Sequence, residues 1–410
     1  MRTLYLHFPF CARICPFCAF AVRKDRPEIH EAYGSGLLQE LQLRLATGLT
    51  PFDESGNSVR PELVEGRTPS MLRQAQHERG GRSQHITFDS VYLGGGTPSR
   101  MTLAELERFF SGLRETVTLS PTAEIAFELN PEDVEPGYLS GLRELGVTRL
   151  SLGGQSFQDT TLKRLGRVHD ARQLRKALEI IQAAEFDNWN LDLMFGIPGQ
   201  PPTQFQADLT EAFRWRPAHV SLYGLEVHDS TPFSRDPEIQ NWEEGHHPEV
   251  AEMYLAGVER LESAGLRQYE VSNFARPGNE GRQNLRVWDG EPYLGLGTGA
   301  HSFANGSRWG NVRSLQRYLD AVTDGLLPEA FRETPDRAQQ ASEWLMLQLR
   351  RVAGVNLEAW REHFGNQQPL PHALLERLHH EGKAVWNPPH LRLTPSGFLL
   401  ADGITAQLLP

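Results

Sequence analysis

Between residues 3 and 225 the sequence alternates short β-rich runs with helical patterns, and that alternation leaves few folds open. The β-rich runs are "TLYLHF" (3–8), "FDSVYLGGG" (88–96), "AEIAFELN" (123–130), "TRLSLGG" (148–154), "NWNLDLMFG" (188–196) and "HVSLYGL" (219–225). Helical patterns lie between them at "TLAELERFFSGLRE" (102–115), "DARQLRKALEIIQAA" (170–184) and "TQFQADLTEAFRW" (203–215). Thr102 and Glu105 have capping-box spacing, and Asp170 suits an N-cap. Strands alternating with helices of this length predict βαβ units and a parallel sheet. Six such runs suggest a full or partial (β/α) barrel, an α/β fold whose chemistry sits in the loops after the strands.

The rhythm changes after about residue 300. "SLQRYLDAV", "DRAQQASEWLMLQLR", "NLEAWREHFG" and "PHALLERLHHEGK" are helical, and "AVWNPPHLRLTPSGFLLADGI" reads as a small hairpin followed by a helix. The expected organisation is a barrel domain over 1–300 and a smaller α-rich, winged-helix-like C-terminal domain over 301–410. Residues 53–85 interrupt the barrel with a polar stretch rich in Gly, Arg and Ser that has no strand pattern. Such composition predicts a disordered insertion without a catalytic role.

Charge and length narrow the class. A net charge of −11 argues against nucleic acid as a partner. No run approaches the roughly 18 apolar residues that span a bilayer, and no signal-peptide pattern opens the chain, so a cytoplasmic protein is expected.

All three cysteines, Cys11, Cys15 and Cys18, stand in "FPFCARICPFCAF" (8–20). Three neighbours cannot build a disulfide framework. They follow the first strand directly, so one strand-to-helix loop carries them all. Zinc with His7 as a fourth ligand is one reading, although structural zinc sites usually come as two separated pairs. A [4Fe–4S] cluster is the other: three thiolates leave one iron open to a substrate or cofactor. The C-x3-C-x2-C spacing with an aromatic before the last Cys resembles the radical S-adenosylmethionine (SAM) signature.

Further motifs extend the resemblance. "LYLHFPFCARICPFCAF", "YLGGGTPS", "FELNPE", "LSLGGQSF", "LGRVHD" and "NLDLMFGIPGQ" run in order through the barrel and together resemble the anaerobic coproporphyrinogen III oxidase family. The resemblance implies that Cys11, Cys15 and Cys18 hold the [4Fe–4S] cluster. It also implies SAM contacts for Tyr5, Phe17, Gly95, Gly96, Thr97 and Glu128, with a second group at Gln155, Arg167 and Asp192. Each has a plainer reading as well. The glycines 94–96 suit either a tight turn or close approach to a ligand. Phe17 suits packing, and Arg167 suits a surface ion pair with Asp170. A strand-end carboxylate such as Asp192 seldom exists without a partner.

Two branches share these motifs. The oxidases carry a fourth Cys two positions after the triad, where this chain has Phe20, and an N-terminal arm for which residues 1–10 leave no room. Both features place the chain nearer the HemW branch, whose members look like haem-binding chaperones. That implies haem as cargo, acceptor haemoproteins as partners, peripheral association with membrane-bound targets, and no coproporphyrinogen III oxidase activity. The branch's HNxxYW motif matches "RQNLRVW", where Gln283 and Val287 replace His and Tyr while Asn284 and Trp288 remain. An imidazole is a good axial iron ligand and an amide is not, so restoring His at 283 is expected to tighten haem binding. His301, in "GTGAHSF", is the nearby alternative. An oxygen-independent oxidase, another radical enzyme acting on a tetrapyrrole, or a purely structural cluster are the competing readings.

Overall fold

The computed structural model describes residues 2–47, 86–365 and 370–409. The 53–85 stretch lies outside the described residues. Strand β1 (Thr3–Phe8) begins a parallel series that continues through β2 (Thr87–Gly95), β3 (Thr118–Leu129), β4 (Arg149–Gln155), β5 (Trp189–Phe195) and β6 (His219–Gly224). On its other side β1 pairs in parallel with Tyr293–Leu296. Short antiparallel strands extend both ends of the sheet, Asn273–Ala275 and Arg267–Gln268 beyond β6 and three more beyond Tyr293–Leu296. The two outermost strands do not pair with each other among the described residues, so the barrel is partial.

The helices cover the sheet by one spacing rule. Helix Leu103–Thr116 buries Leu106, Phe109, Phe110 and Leu113, and helix Ala171–Ala183 buries Leu174, Ala177, Leu178 and Ile181. Both stripes follow i, i+3, i+4, i+7, the apolar face of a surface helix. Thr102 and Asp170 cap these helices, each within a complete capping box. A lost N-cap typically costs about 1 kcal/mol.

The sheet does not stop at residue 300. Strands His301–Ala304, Ser307–Asn311 and Glu329–Glu333 continue it as an antiparallel edge. Their sequences are four or five residues long and carry no clean alternation, so nothing in the pattern marks them. A buried network ties this extension to the first helix, Pro27–Ala46. Glu40 accepts from Arg44, Asn311 Nδ2 (2.8 Å), Tyr318 Oη (2.8 Å) and the Gly297 amide (3.0 Å). A buried carboxylate is tolerated there because each of its oxygens is paired. From Arg337 onward the chain forms a helix-rich unit. Strands Ala384–Asn387 and His390–Leu393 make its hairpin, and Val355–Asn356 adds a third strand.

Candidate cluster and cofactor site

The cysteine loop leaves β1 through Pro9. A two-residue pairing of Phe10–Cys11 with Arg23–Lys24 closes its base, and the Cys18 amide donates to Cys15 O (3.1 Å) inside it. Burial pushes the Cys11 thiol up to about 12 and raises Cys18 as well. Thiols held this way stay protonated at neutral pH until a cation replaces the protons.

Two side chains from other loops donate to these sulfurs. Thr97 Oγ1 reaches Cys11 Sγ (3.6 Å), and Arg167 Nη1 reaches Cys15 Sγ (3.6 Å). Asn130 joins the two donors, giving its Nδ2 hydrogen to Thr97 Oγ1 (2.9 Å) and accepting from Arg167 Nη2 (2.5 Å). Arg167 thus turns inward, onto Asn130, Cys15 and the Gly153 carbonyl (3.0 Å), and makes no ion pair with Asp170. Sequence reasoning missed Asn130, although it stands inside the "FELNPE" motif.

The donor set fits a cluster better than a single ion. His7, the proposed fourth zinc ligand, has both ring nitrogens engaged, Nδ1 with Tyr5 Oη (3.0 Å) and Nε2 with Ala21 O (3.1 Å). Among the described residues no three His, Cys, Asp or Glu side chains converge tightly enough to hold one metal ion. An iron–sulfur cubane spreads its thiolates over separate irons and does not need that convergence.

The glycine loop after β2 is shaped by protein neighbours. Gly95 has φ +100°, and a Cβ there would lie 2.2 Å from the His7 ring. A Cβ on Gly96 would meet Phe8 O at 2.4 Å, where its own amide donates (2.7 Å). Close approach to the first strand therefore explains both glycines. Tyr5 lies in the same corner, 6.2 Å from the Tyr92 ring. Phe17 packs with Phe233 at 6.3 Å and against the Leu165, Met194 and Ile197 cluster.

Two carboxylates face the barrel interior without a cation. Glu128 accepts from Tyr92 Oη (2.7 Å) and the Gly95 amide (3.0 Å). Burial raises it to about 7, against those bonds and with help from Asp192. Asp192 accepts from Asn190 Nδ2 (2.7 Å), and burial raises it to about 6. Neither makes a salt bridge to a side chain, which leaves two acceptors suited to a cationic ligand such as the ammonium of SAM. Gln155 ends β4 at φ +67°, a left-handed conformation that is strained for a non-glycine and clusters at functional sites.

The "RQNLRVW" stretch is elsewhere. It forms helix Arg282–Trp288 at the opposite, N-terminal end of the strands. Its first amide donates to Glu124 (3.0 Å), and Arg286 grips Asp89 with two bonds (2.6 and 2.7 Å). Gln283 and Asn284 line a small polar cavity with Glu124, Arg149, Asn190 and His219, and the same cavity reaches Glu128 and Asp192. A hydrogen-bonded chain crosses that lumen. Asn190 Oδ1 meets His219 Nδ1 (2.7 Å), His219 Nε2 meets Tyr269 Oη (2.9 Å), and Tyr269 Oη accepts from the Gly281 amide (3.3 Å). Sequence reasoning missed all three, because each is a single polar residue within a strand or turn. His301 stands apart from Gln283, exposed on the antiparallel extension beside Phe331.

Comparison with known proteins agrees with this geometry. Residues 5–212 match the Radical SAM superfamily, and residues 336–400 match the HemN C-terminal domain. The chain is 29% identical to the heme chaperone HemW of Bacillus subtilis over 100% of this chain and 99% of that one. It is 32% identical to the HemW of Synechocystis over 86% and 78%, and 30% identical to that of Escherichia coli over 73% and 69%. The fold is similar to that of coproporphyrinogen III oxidase (HemN) from Escherichia coli, with a TM-score of 0.74 and 20% identity over 99% of this chain and 90% of that one. The matched signature, the three-thiol loop and the full-length relatives converge: the chain belongs to the radical SAM superfamily, as a HemW-like member, a family that implies a [4Fe–4S] cluster and SAM.

Proposed function

We propose that this protein holds a [4Fe–4S] cluster on Cys11, Cys15 and Cys18, binds SAM beside it, and carries haem to acceptor haemoproteins in the cytoplasm. The observation that carries the reading is the three-thiol loop followed by Phe20 rather than a fourth cysteine, in a chain whose full-length relatives are named heme chaperones. The cluster would supply an open iron for SAM. The chain's own residues do the rest of the positioning. Thr97 and Arg167 donate to two of the sulfurs, and Asn130 keeps those donors in register. Glu128 and Asp192 are the acceptors for the cationic end of SAM. Tyr5, Phe17, Gly95, Gly96 and Gln155 shape the walls.

No helix among the described residues is long and apolar enough to cross a membrane. The barrel unit over 1–300 and the C-terminal unit are read as separate domains, with strands 301–333 serving the barrel sheet. Anaerobic reconstitution followed by hemin titration and a coproporphyrinogen III decarboxylation assay on one sample tests the reading. Hemin binding without decarboxylation is expected. Decarboxylation would move the protein to the oxidase reading, and absence of hemin binding would remove the chaperone role.

A further inference from the structure

Next to the cluster loop lies a surface whose cations meet backbone carbonyls but no carboxylate. Phe20, two residues past Cys18, is 67% exposed, the more exposed of the two large apolar side chains, with Ile14, that this half-buried loop shows to solvent. Arg23 and Arg313 bond to the backbone on either side of it. Arg23 donates only to the carbonyls of Val22 (3.0 Å) and Arg313 (3.1 Å), and Arg313 only to Ala19 O (2.8 Å). Neither meets a carboxylate among the described residues, in a protein whose net charge is −11. In such a protein an unclaimed pair of guanidiniums stands out, since planar forks of this kind suit carboxylates.

The same arginine reaches His301. Burial first, then the charges of Arg313 and Arg308, lowers the His301 pKa and favours the neutral imidazole. The ring meets Phe331 edge-on at 5.5 Å, and the Phe331 ring in turn lies over Gly310, where a Cβ would come within 2.5 Å of it. Neither ring nitrogen of His301 has a hydrogen-bond partner among the described residues, so a lone pair is available for a metal. The mounting is rigid. Glu40 and Asn311 lock the strand beneath, Tyr33 Oη accepts from the Thr298 amide (3.0 Å) and donates to His7 O (2.7 Å), and Gly299 abuts Ala21.

We propose that His301, Phe20, Arg23 and Arg313 form the docking site for an iron tetrapyrrole, with the His301 imidazole as axial ligand and the two guanidiniums paired with its propionates. This rests on the haem-carrying reading and says where the cargo sits. Four chemical requirements of haem meet there: a neutral imidazole, an aromatic face, two cations, and access from solvent that permits release. Gln283 meets none of them, since it is an amide on a polar cavity lined by carboxylates from Glu124 to Glu128 and Asp192.

The test is hemin titration of the full-length, cluster-loaded protein, followed by its Soret band. His301→Ala should weaken binding roughly tenfold or more and move the band away from imidazole ligation. Imidazole added to His301→Gly should restore the wild-type band. Arg23→Ala with Arg313→Ala should weaken binding without moving the band, because propionate contacts do not touch the iron. Should His301→Ala lose its cluster or fail to fold, His301→Met serves instead, and its band should move to the thioether position. An unchanged band and affinity in the His301 variants would overturn the site while leaving the haem-carrying reading intact. Failure of the wild type to bind hemin would instead overturn that reading, and the site with it.

Discussion

The two ends of the barrel are both polar, and they differ in the cations that face their carboxylates. At the N-terminal end Asp89 is gripped by Arg286, Glu124 accepts from the Arg282 amide, and Arg149 donates to Asn188 Oδ1 (2.7 Å) and Asn279 O (3.0 Å). His219 is bonded through both nitrogens. At the C-terminal end three half-buried thiols and two raised carboxylates lie together, and Arg167 donates to Cys15 but makes no salt bridge to either carboxylate. One end meets its carboxylates with arginine and backbone donors, although the buried Gln283 Oε1 there finds no partner. The other is built to be completed by a ligand, and burying unpaired acidic groups is justified only by what they will bind.

The largest expected effect falls on the unfinished end. Replacing Cys11, Cys15 or Cys18 by Ala removes a thiolate that no neighbouring side chain can supply, so anaerobic iron and sulfide content should drop to near zero. Substitutions at the other end, such as Asn284→Ala, should leave iron content unchanged. Stoichiometric zinc in place of iron would break the contrast at its root.

The pH response of stability should also come from the C-terminal end. Unfolded Glu and Asp titrate near about 4.3 and 3.9. The fold raises Glu128 to about 7 and Asp192 to about 6, so the folded state holds more protons between those limits. The stability they contribute is full below about pH 4 and is lost as pH rises through 6 and 7. The loss is on the order of 2 kcal/mol, discounted for their partial access to the lumen. Denaturant midpoints at pH 5 and pH 8 should differ accordingly, and Glu128→Gln with Asp192→Asn should flatten the difference. SAM should flatten it too if its cation sits between the two. A wild-type midpoint that does not fall with pH would show that these carboxylates are already matched.

At the N-terminal end a change should cost stability alone. His219→Leu removes one hydrogen bond each from Asn190 Oδ1, which keeps Ser221 Oγ (3.1 Å), and from Tyr269 Oη, which keeps the Gly281 amide (3.3 Å), so the loss should be about 0.5–1.5 kcal/mol per bond. Iron content and SAM affinity should stay at wild-type levels. A fall in SAM affinity would mean that the lumen chain helps to hold Asp192, to which Asn190 also donates.

The two ends were unequally legible. Long amphipathic helices and the six parallel strands follow from apolar spacing, and the cluster end follows from contiguous motifs that put cysteines, glycines and a carboxylate in short loops. The lumen chain takes Asn190 from β5, His219 from β6 and Tyr269 from a turn, one residue each, and their meeting is a consequence of strand register that no local pattern encodes. Asn190 and His219 are opposite one another in that register. Strands 301–333 were hidden for a different reason. They are short edge strands held by Glu40 and Arg44 on a helix more than 250 residues earlier. The inward turn of Arg167 was equally invisible, because its partners Asn130 and Cys15 lie on other loops.

The smallest effect expected is at Gln283, and it sharpens the contrast most. By motif, an imidazole at 283 should tighten haem binding. By position, the side chain opens on a polar cavity between Glu124, Arg149 and His219, and its buried Oε1 finds no hydrogen-bond partner. A macrocycle whose binding depends on burying apolar area, at roughly 25 cal/mol per Å², gains little beside those charges. Gln283→His should therefore leave the Soret band and the hemin affinity where they are, while His301→Ala moves both. A new imidazole-type band in Gln283→His would place the iron at the N-terminal end and reverse the assignment of the two ends.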